Sequence, residues 1–315
     1  MIPFAKNSLI LAPMAGITDQ GFRKICKKYG ADVTVSEMVS TKGIFYNDRK
    51  SVELMNFSKD EEPIIIQIFG HDTECIKKSI EFISTNFSPV GIDINMGCPA
   101  PKIFQNGDGC ALMKNIDLAF DIICSAKQNT DLPISVKFRS GVDDKNINAV
   151  QFAKMCESAG ADYITVHART REQFYNGQAN RDIIKDVVKN ISIPVIANGD
   201  IDSGKSAENM LKHTGAHSIM VGRATLGNPL IFNQIKNYLD KNVPLINKSL
   251  FNIALEQLEC VMQTKPHQIA VKEFRKHLIW YFKGIKNAAE YKRRASQVVT
   301  FNDCEKLISE INKEK

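Results

Sequence analysis

Short, continuously apolar runs alternate with amphipathic stretches throughout the first 235 residues of the chain. Continuous apolar runs are typical of parallel strands that are covered on both faces. They predict eight strands, at residues 9–13, 32–36, 64–69, 91–95, 134–139, 163–167, 194–198 and 218–222. The stretches between them include 73–85, 116–128, 146–158 and 203–213, which carry helical periodicity. Thr73 and Asp143 are candidate helix starts, and Gly160 and Gly215 follow two predicted helix ends.

This alternation predicts the fold class. Eight strand–helix units within about 235 residues match a (β/α)8 TIM barrel, of class α/β, in both number and size. A doubly wound parallel sheet is the competing architecture, but it rarely contains eight such regular units.

The chain changes character after Phe232, where only helical patterns follow a polar connection at 240–249. We predict helices at 250–263, 268–285, 290–297 and 303–311. Residues 236–315 contain 15 Lys plus Arg and 9 Asp plus Glu, whereas the first 235 residues contain 26 of each sign. We therefore predict a barrel domain at 1–240 and a small, basic, all-helical domain at 241–315. The positive charge of this domain suggests that it binds a polyanion, and nucleic acid is the first candidate. The alternative is a lysine-rich surface that is merely solvated and binds no partner.

Composition and cysteine usage narrow the class of protein. Hydrophobic residues make up 43 % of the 315 residues, and no run approaches the ~18 apolar residues of a membrane span. The apolar start of the chain is better explained as a first strand than as a signal peptide. No pair of the eight cysteines has C-x-x-C spacing, which favours reduced thiols in the cytoplasm and predicts no metal site. We expect no membrane association, no obligate protein partner and a monomer.

Polar and charged residues lie at nearly every predicted strand end. In a barrel the carboxyl ends of the strands meet at one mouth, where catalytic groups lie. The residues concerned are Pro13, Met14, Ala15, Gly16, Ser36, Glu37, Met38, Gln67, Gly70, His71, Asn95, Lys137, Arg139, His167, Arg169, Arg171, Asn198, Gly199, Asp200, Gly222 and Arg223. Each has a structural explanation by itself, but a full ring of them predicts a functional site.

Cys98 stands out within the Gly- and Pro-rich loop that follows the predicted strand at 91–95. Gly97 leaves room for close approach to the backbone, and Pro99 restricts Cys98 to extended conformations. A thiol held in this way at a strand end is placed to meet a ligand. The alternative is a buried cysteine that acts as a small hydrophobic residue.

The last two strand ends predict a phosphate pocket. Gly199 and Gly222 follow strands seven and eight, where barrels commonly bind phosphate through backbone N–H groups, and Arg223 adds a cation. Lys137 and His167 lie between this pocket and Cys98 in strand order. The layout suits a planar cofactor with a phosphate tail.

The sequence segments around these residues resemble motifs of the tRNA-dihydrouridine synthase family, most closely its bacterial B type. The matching segments are APMAGITD (12–19), SEMVS (36–40), IQIFG (66–70), DINMGCPAPK (93–102), VKFRSG (136–141), HARTREQFYNG (167–177), PVIANGDI (194–201), VGRATLGNP (221–229) and, in the helical tail, KEFRKHLIWYF (272–282). The resemblance implies an FMN enzyme that reduces the C5=C6 bond of uridines in tRNA to dihydrouridine, with NADPH as reductant.

The resemblance also implies roles for individual residues. Cys98 is the expected proton donor to C5, as a neutral acid rather than a thiolate. The expected FMN-binding residues are Pro13, Met14, Ala15, Gln67, Lys137, His167, Asn198, Gly199, Asp200, Gly222 and Arg223. The expected substrate contacts are Asn95, Arg139, Arg169 and Arg171 at the mouth, and Lys292, Arg293 and Arg294 in the helical domain.

Three other functions compete with this interpretation. GDIDSGKS at 199–206 fits the P-loop pattern of an ATPase, although two aspartates in a triphosphate-binding loop argue against it. An FMN barrel acting on free pyrimidines or dihydroorotate would share the flavin site but not the basic tail. A non-catalytic RNA-binding module is supported only by the charge of the tail.

Overall fold

The apolar runs form the strands of a parallel barrel in the computed structural model, which describes residues 2–313. The strands are β1 (Leu9–Leu11), β2 (Thr34–Val35), β3 (Val39–Ser40), β4 (Ile64–Phe69), β5 (Gly91–Met96), β6 (Ile134–Arg139), β7 (Tyr163–His167), β8 (Val195–Asn198) and β9 (Ser218–Val221). Their order is β1-β9-β8-β7-β6-β5-β4-β2, all neighbours are parallel, and a bridge between Ile10 and Val33 joins the two ends. The predicted TIM barrel is confirmed.

The second barrel strand differs from its prediction. It was expected as one strand at 32–36 but forms two short pieces, β2 and β3, which both pair with β4. Val35 pairs with Ile65 and Val39 with Ile68, so this side contains one residue more than its partner. An extra residue bends a strand and re-aims its side chains, as in a β-bulge. Here the interruption at Ser36–Met38 directs Glu37 towards the backbone amide of Gly16.

Helices surround the barrel in the predicted alternation. They are α1 (Gln20–Lys28), α2 (Thr41–Phe45), α3 (Arg49–Glu53), α4 (Thr73–Asn86), α5 (Pro101–Gln105), α6 (Ile116–Gln128), α7 (Ala149–Ser158), α8 (Arg181–Asn190), α9 (Gly204–Thr214) and α10 (Ile231–Leu239). The start of α4 at Thr73 is confirmed, because the Asp72 side chain accepts a hydrogen bond from the Cys75 amide. Gly215 ends α9 in the left-handed conformation, as its position predicted.

The predicted start of α7 at Asp143 is wrong. The helix begins six residues later, at Ala149. The Asp143 carboxylate instead accepts hydrogen bonds from the Lys145 amide and the Asn146 side chain. Aspartate stabilises such turns through the same local hydrogen bonds that cap helices, so the sequence signal is ambiguous between the two.

Four further helices form the predicted helical region after the barrel. They are α11 (Leu250–Met262), α12 (His267–Tyr281), α13 (Ala288–Ala295) and α14 (Phe301–Lys313). Their apolar core also includes Ile25 of α1 and Tyr29, which directly follows that helix, so the helical region is anchored on the barrel. A Cβ atom at Gly21 of α1 would lie 2.4 Å from the Val261 side chain, so glycine permits close contact with α11. The domain boundary at residue 240 stays a prediction, and within residues 2–313 no helix has the length and apolar character to cross a membrane.

A buried ion pair fixes the loop that precedes β4. Arg23 of α1 is 2 % exposed, and its Nε donates to Glu61 at 2.7 Å. The same guanidinium donates to the backbone carbonyls of Thr18 and Asn56 at 2.8 and 2.9 Å. Removing one partner of such a pair leaves an uncompensated buried charge.

We expect Arg23→Ala to lower the free energy of unfolding by about 3–5 kcal/mol, measured by urea denaturation followed by circular dichroism. Arg49→Ala is the matched control, because Arg49 pairs with Glu53 at the same 2.7 Å distance but is 90 % exposed. Its expected loss is below about 0.5 kcal/mol. Equal losses in the two variants would contradict the role of burial.

Candidate active site

Cys98 lies directly after β5 at the carboxyl end of the barrel, with its side chain partly buried. The side-chain oxygen of Asn95 accepts hydrogen bonds from the backbone amides of Cys98 and Gly97, at 2.9 and 3.1 Å. The turn that carries the thiol is therefore held by the strand residue that precedes it.

Gly109 closes this turn from the other side. Its φ of +59° lies in the left-handed region, and a Cβ atom there would lie 2.9 Å from the Cβ of Cys98. The neighbouring Cys110 amide donates to the Cys98 carbonyl at 3.2 Å. Any larger residue at position 109 would displace the loop that presents the thiol.

A row of polar side chains crosses the barrel interior beneath Cys98. Gln67, Asp93 and Ser135 are register partners on β4, β5 and β6. Gln67 Nε2 and Ser135 Oγ donate to the two oxygens of Asp93, at 2.7 and 2.6 Å. Because an ionised carboxylate only accepts, the amide oxygen of Gln67 faces Asn95, which donates to it at 2.9 Å. The network thus connects the buried Asp93 to the turn of Cys98.

This network limits the predicted roles of Gln67 and Asn95. The side-chain oxygen of Gln67 accepts from Asn95, and that of Asn95 accepts two backbone amides. Each residue contacts a ligand only with the hydrogen-bonding capacity that remains. Their predicted contacts with flavin and uracil stay predictions.

Positive charge is concentrated one layer above this row. Burial, together with nearby Arg139, lowers the pKa of Lys137 to about 8, while Asp93 acts in the opposite direction. Burial raises the pKa of Asp93 to about 6. Lys137 donates no hydrogen bond and forms no ion pair within the described part of the chain. The mouth thus contains a half-buried lysine whose ammonium group has no bonded partner among the described residues.

The pKa of His167 is also affected by this concentration of positive charge. It is 7 % exposed and lies between Arg139 and Asn198 in the register of β6, β7 and β8. Its pKa falls well below the ordinary value because of burial and of four nearby cations, namely Lys137, Arg139, Arg169 and Arg223. The imidazole is therefore neutral at physiological pH and offers one donor and one acceptor.

Asp200 joins two of these cations after β8. Its oxygens accept from Arg169 at 2.8 Å, from Arg223 at 3.2 Å and from the Ala179 amide at 2.8 Å. Burial opposes ionisation of Asp200, but these donors outweigh it and lower its pKa. The carboxylate predicted to hold a phosphate thus positions two arginines.

One of the two predicted phosphate-binding glycines, Gly222, lies against the first loop. A Cβ atom at Gly222 would point towards Ala12 and towards the Met14 sulfur, 3.9 Å away. Gly199 has a φ of +128° and packs against the His167 ring. Asn198 uses its side-chain nitrogen to donate to the Met220 carbonyl at 2.8 Å. Pro13 and Ala15 flank Met14 in this loop.

The other predicted substrate residues occupy different places. Arg139 and Arg169 are buried at the mouth and donate to backbone carbonyls. Arg171 lies with its guanidinium 3.8 Å from the centroid of the Phe104 ring, on the helix α5 that follows the Cys98 turn in the chain. The remaining three, Lys292, Arg293 and Arg294, belong to α13 in the helical region.

The donors at the mouth fit a planar anionic cofactor with a phosphate. The Nη1 atom of Arg169 is buried without a hydrogen-bond partner, and Lys137 has none within residues 2–313. Buried polar groups without partners cost free energy unless a ligand satisfies them. Because Gly222 has no side chain, its backbone stays accessible beside Met14, in the space into which a Cβ atom would project. FMN meets these requirements with its phosphate and the polar edge of its ring.

Comparison with known proteins decides among the candidate families. A family model described as "Dihydrouridine synthase (Dus)" matches residues 10–314. The chain belongs to the dihydrouridine synthase family. It is 40 % identical to tRNA-dihydrouridine synthase B of Pseudomonas syringae pv. tomato over 289 residues, which are 91 % of this chain and 86 % of that protein. It is 38 % identical to a probable tRNA-dihydrouridine synthase of Rickettsia conorii over 291 residues, 91 % of this chain and 87 % of that protein.

Solved structures share the barrel with this family member. Histamine dehydrogenase from Rhizobium sp. 4-9 aligns with a TM-score of 0.58 at 13 % identity, over 81 % of this chain and 49 % of that chain. A variant of NCR from Zymomonas mobilis aligns with a TM-score of 0.52 at 16 % identity, over 79 % of this chain and 91 % of that chain. At such identities the likeness shows the fold alone.

The P-loop interpretation is not supported. Residues 199–206 connect β8 to α9 of the barrel, and the Ser203 side chain caps α9 by accepting from the Ser206 amide. Asp200 faces two arginines rather than a metal–triphosphate site. The family match accounts for the same segment.

Some site residues were missed from the sequence. The sequence did contain a signal for Asp93, because a carboxylate in an otherwise apolar strand is buried and needs hydrogen-bond partners. Glu37 was predicted only as a strand-end residue, and no pattern indicated that Glu37 and Lys276 reach Gly16 from distant segments, Glu37 at its amide and Lys276 at its carbonyl. Phe104 also contacts Arg171 only through the fold.

Asp93 provides a test of the polar row. Asp93→Ala leaves the Gln67 amide and the Ser135 hydroxyl without an acceptor, at about 1–3 kcal/mol for each buried group. Asp93→Asn keeps both contacts, because the serine hydroxyl also accepts. We expect the alanine variant to lose about 2–5 kcal/mol of unfolding free energy at pH 7.5, and the asparagine variant to lose little or none, in urea titrations.

A comparison of the wild type with Asp93→Asn also tests the pKa of Asp93. Its folded pKa of about 6 lies above the ordinary value of 3.8, so the wild type gains stability as the pH falls through 6 and loses it as the pH rises. Relative to Asp93→Asn, the wild type should gain about 1–3 kcal/mol between pH 7 and pH 4. A difference that does not vary with pH would contradict the raised pKa.

Proposed function

We propose that this chain reduces the C5=C6 bond of specific uridines in tRNA, with bound FMN, with NADPH as reductant and with Cys98 as the proton donor. The observation that carries the proposal is the partly buried thiol at the same mouth as the unpartnered cation Lys137, in a member of the dihydrouridine synthase family. A tRNA substrate is consistent with the cytoplasmic location expected from the sequence. The monomeric state stays a prediction.

The protonation state of Cys98 suits a general acid. Burial raises its pKa, although the Ala100 amide and the cations Arg139 and Lys137 act in the opposite direction. The thiol is thus protonated at neutral pH. When bound and reduced, FMN supplies the hydride that C6 of uracil receives. Cys98 then donates its proton to C5, and the new C–H bond forms as the S–H bond breaks.

Lys137 and His167 provide the electrostatic environment. Lys137 supplies a desolvated positive charge for the electron-rich edge of a reduced flavin, and the neutral His167 supplies a hydrogen bond. Arg169 and Arg223, positioned by Asp200, lie where the cofactor phosphate is expected. These side chains hold and orient the cofactor.

The target uridine has to leave its stack to reach the mouth. Extrusion of a base costs a few kcal/mol, which contacts elsewhere on the tRNA must offset. The basic helical region supplies cations for such phosphate contacts, with 15 Lys plus Arg in residues 236–315.

We expect Cys98→Ala to retain flavin absorbance and reduction by NADPH but to lose dihydrouridine formation by roughly 10²- to 10⁴-fold. The two half-reactions are measured separately, by flavin absorbance and by mass spectrometry of digested tRNA. Cys124→Ala is the control, because Cys124 is also partly buried but lies on α6. Normal dihydrouridine formation by Cys98→Ala would remove Cys98 from the mechanism.

Turnover without RNA tests the main alternative. Rapid reduction of free uracil, or oxidation of dihydroorotate, by the yellow protein would favour an enzyme of free pyrimidines. Colourless protein that binds tRNA would favour a non-catalytic RNA-binding module.

We expect replacement of Lys292, Arg293 and Arg294 by alanine to weaken tRNA binding without loss of flavin. Arg293 pairs with Glu290 and Arg294 with Glu310, so part of this charge is already neutralised. The slope of log affinity against log salt concentration should become shallower by roughly 1 for each phosphate that these side chains no longer neutralise. The control removes Lys185, Lys189 and Lys212 from α8 and α9, and an equal effect of both triple variants would argue for net charge alone.

A further inference from the structure

Two aromatic rings project into solvent beside the mouth. Phe174 and Tyr175 belong to the segment Thr170–Gly177, which we term the aromatic loop, and are 42 % and 44 % exposed. Their ring centroids lie 4.8 Å apart at 87°, in an edge-to-face contact. Phe174 has a φ of +51°, a conformation that costs a non-glycine residue about 1–2 kcal/mol. Apolar burial does not explain two exposed rings on a strained backbone.

Three arginines hold the aromatic loop in this conformation. Arg139 donates to the carbonyls of Thr170 and Phe174 at 2.8 and 2.9 Å. Arg169 donates to the carbonyls of Asn176 and Gly177 at 3.1 and 2.7 Å, and Arg223 donates to that of Tyr175 at 3.4 Å. Hydrogen bonds from charged donors are stronger than neutral ones, so the loop is rigid before any ligand binds. Rigid aromatic groups bind with little loss of conformational entropy.

The aromatic loop adjoins the proposed proton donor. The Arg139 guanidinium that binds the Phe174 carbonyl also donates to the carbonyl of Gly97, at 3.1 Å. One side chain therefore joins the residue next to Cys98 to the loop. This shared guanidinium places the aromatic loop on the side of the mouth that carries Cys98.

The surroundings of the rings are cationic. The guanidinium groups of Arg223 and Arg139 lie 4.8 and 5.7 Å from the centroid of Tyr175. Arg171, at the start of the loop, stacks on Phe104 and donates no side-chain hydrogen bond within residues 2–313. Exposed rings interleaved with arginines match a polyanion that carries flat aromatic groups, which is single-stranded nucleic acid.

We propose that the aromatic loop stacks on a nucleobase next to the extruded uridine, with Phe174 as the contact ring and Arg171 on the adjoining phosphate. The proposal rests on the proposed function, since it requires an RNA substrate. Extrusion of a base removes a stacking partner from its neighbours, and the Phe174 ring replaces it. Tyr175 supports Phe174 through their edge-to-face contact, and Arg139 and Arg223 lie against the ring of Tyr175 itself.

The test compares three substitutions of Phe174 in the flavin-loaded, full-length protein. Phe174→Ala and Phe174→Leu remove the ring, whereas Phe174→Tyr keeps it. The substrate is a tRNA in which the reduced uridine has been mapped, with 2-aminopurine at a neighbouring position. We expect the first two variants to bind tRNA roughly 5- to 100-fold more weakly, with flavin absorbance and NADPH oxidation unchanged. Phe174→Tyr should bind like the wild type.

The fluorescence of 2-aminopurine reports stacking directly. It should be quenched in complexes of the wild type and Phe174→Tyr, and brighter at saturation with Phe174→Ala and Phe174→Leu. Phe120→Ala is the matched control, because Phe120 is 37 % exposed on the outer helix α6, and it should leave both signals unchanged.

The outcomes separate this inference from the proposed function. A wild type that neither binds nor reduces tRNA overturns both. A wild type that reduces tRNA while Phe174→Ala matches it in affinity and fluorescence overturns only the stacking role. A change confined to self-association, measured by sedimentation, also overturns it, because the rings would then serve a contact between copies of the chain.

Discussion

Desolvated positive charge at the barrel mouth is the constraint that organises this protein. Four cations, Lys137, Arg139, Arg169 and Arg223, lie in β6 or just after β7 and β9, and all of them lower the pKa of His167. Backbone carbonyls satisfy Arg139, and Asp200 joins Arg169 to Arg223. Lys137 remains without a hydrogen bond in the described residues. A half-buried charge without a partner, together with the buried and unpartnered Nη1 atom of Arg169, costs stability that an anionic ligand would offset.

The parallel register explains how these groups meet. Gln67, Asp93 and Ser135 form one layer across β4, β5 and β6. The layer nearest the mouth contains Arg139 and His167, which are register partners. A polar, hydrogen-bonded layer thus lies beneath a cationic one, and the Cys98 turn connects them through Asn95. Layers of inward-pointing side chains normally fill a TIM barrel, and in this protein the layers at one end carry the polar and charged groups.

The helical region contributes to the mouth as well as to the surface. Lys276 of α12 donates to the carbonyl of Gly16, and Glu37 accepts from the amide of the same residue. The loop that carries Met14 is therefore held between the second barrel strand and the helical region. Together with the packing of α11 on Gly21, this contact makes the position of the first loop sensitive to how the helices dock.

Periodicity and local chemistry determined the strands, most helices, the order of the barrel and the identity of the residues at its mouth. β4, β6 and β7 were predicted to the residue, because continuous apolar runs with clear ends leave little choice. Only the tertiary structure decided where single side chains point. Asp200 contacts Arg169 and Arg223, Arg139 and Arg169 bind the aromatic loop, and the extra residue between β2 and β3 aims Glu37 at Gly16. These contacts join segments that are far apart in the chain. Sequence patterns indicate only the local backbone conformation and burial, whereas hydrogen-bond partners are determined by distances in the folded barrel.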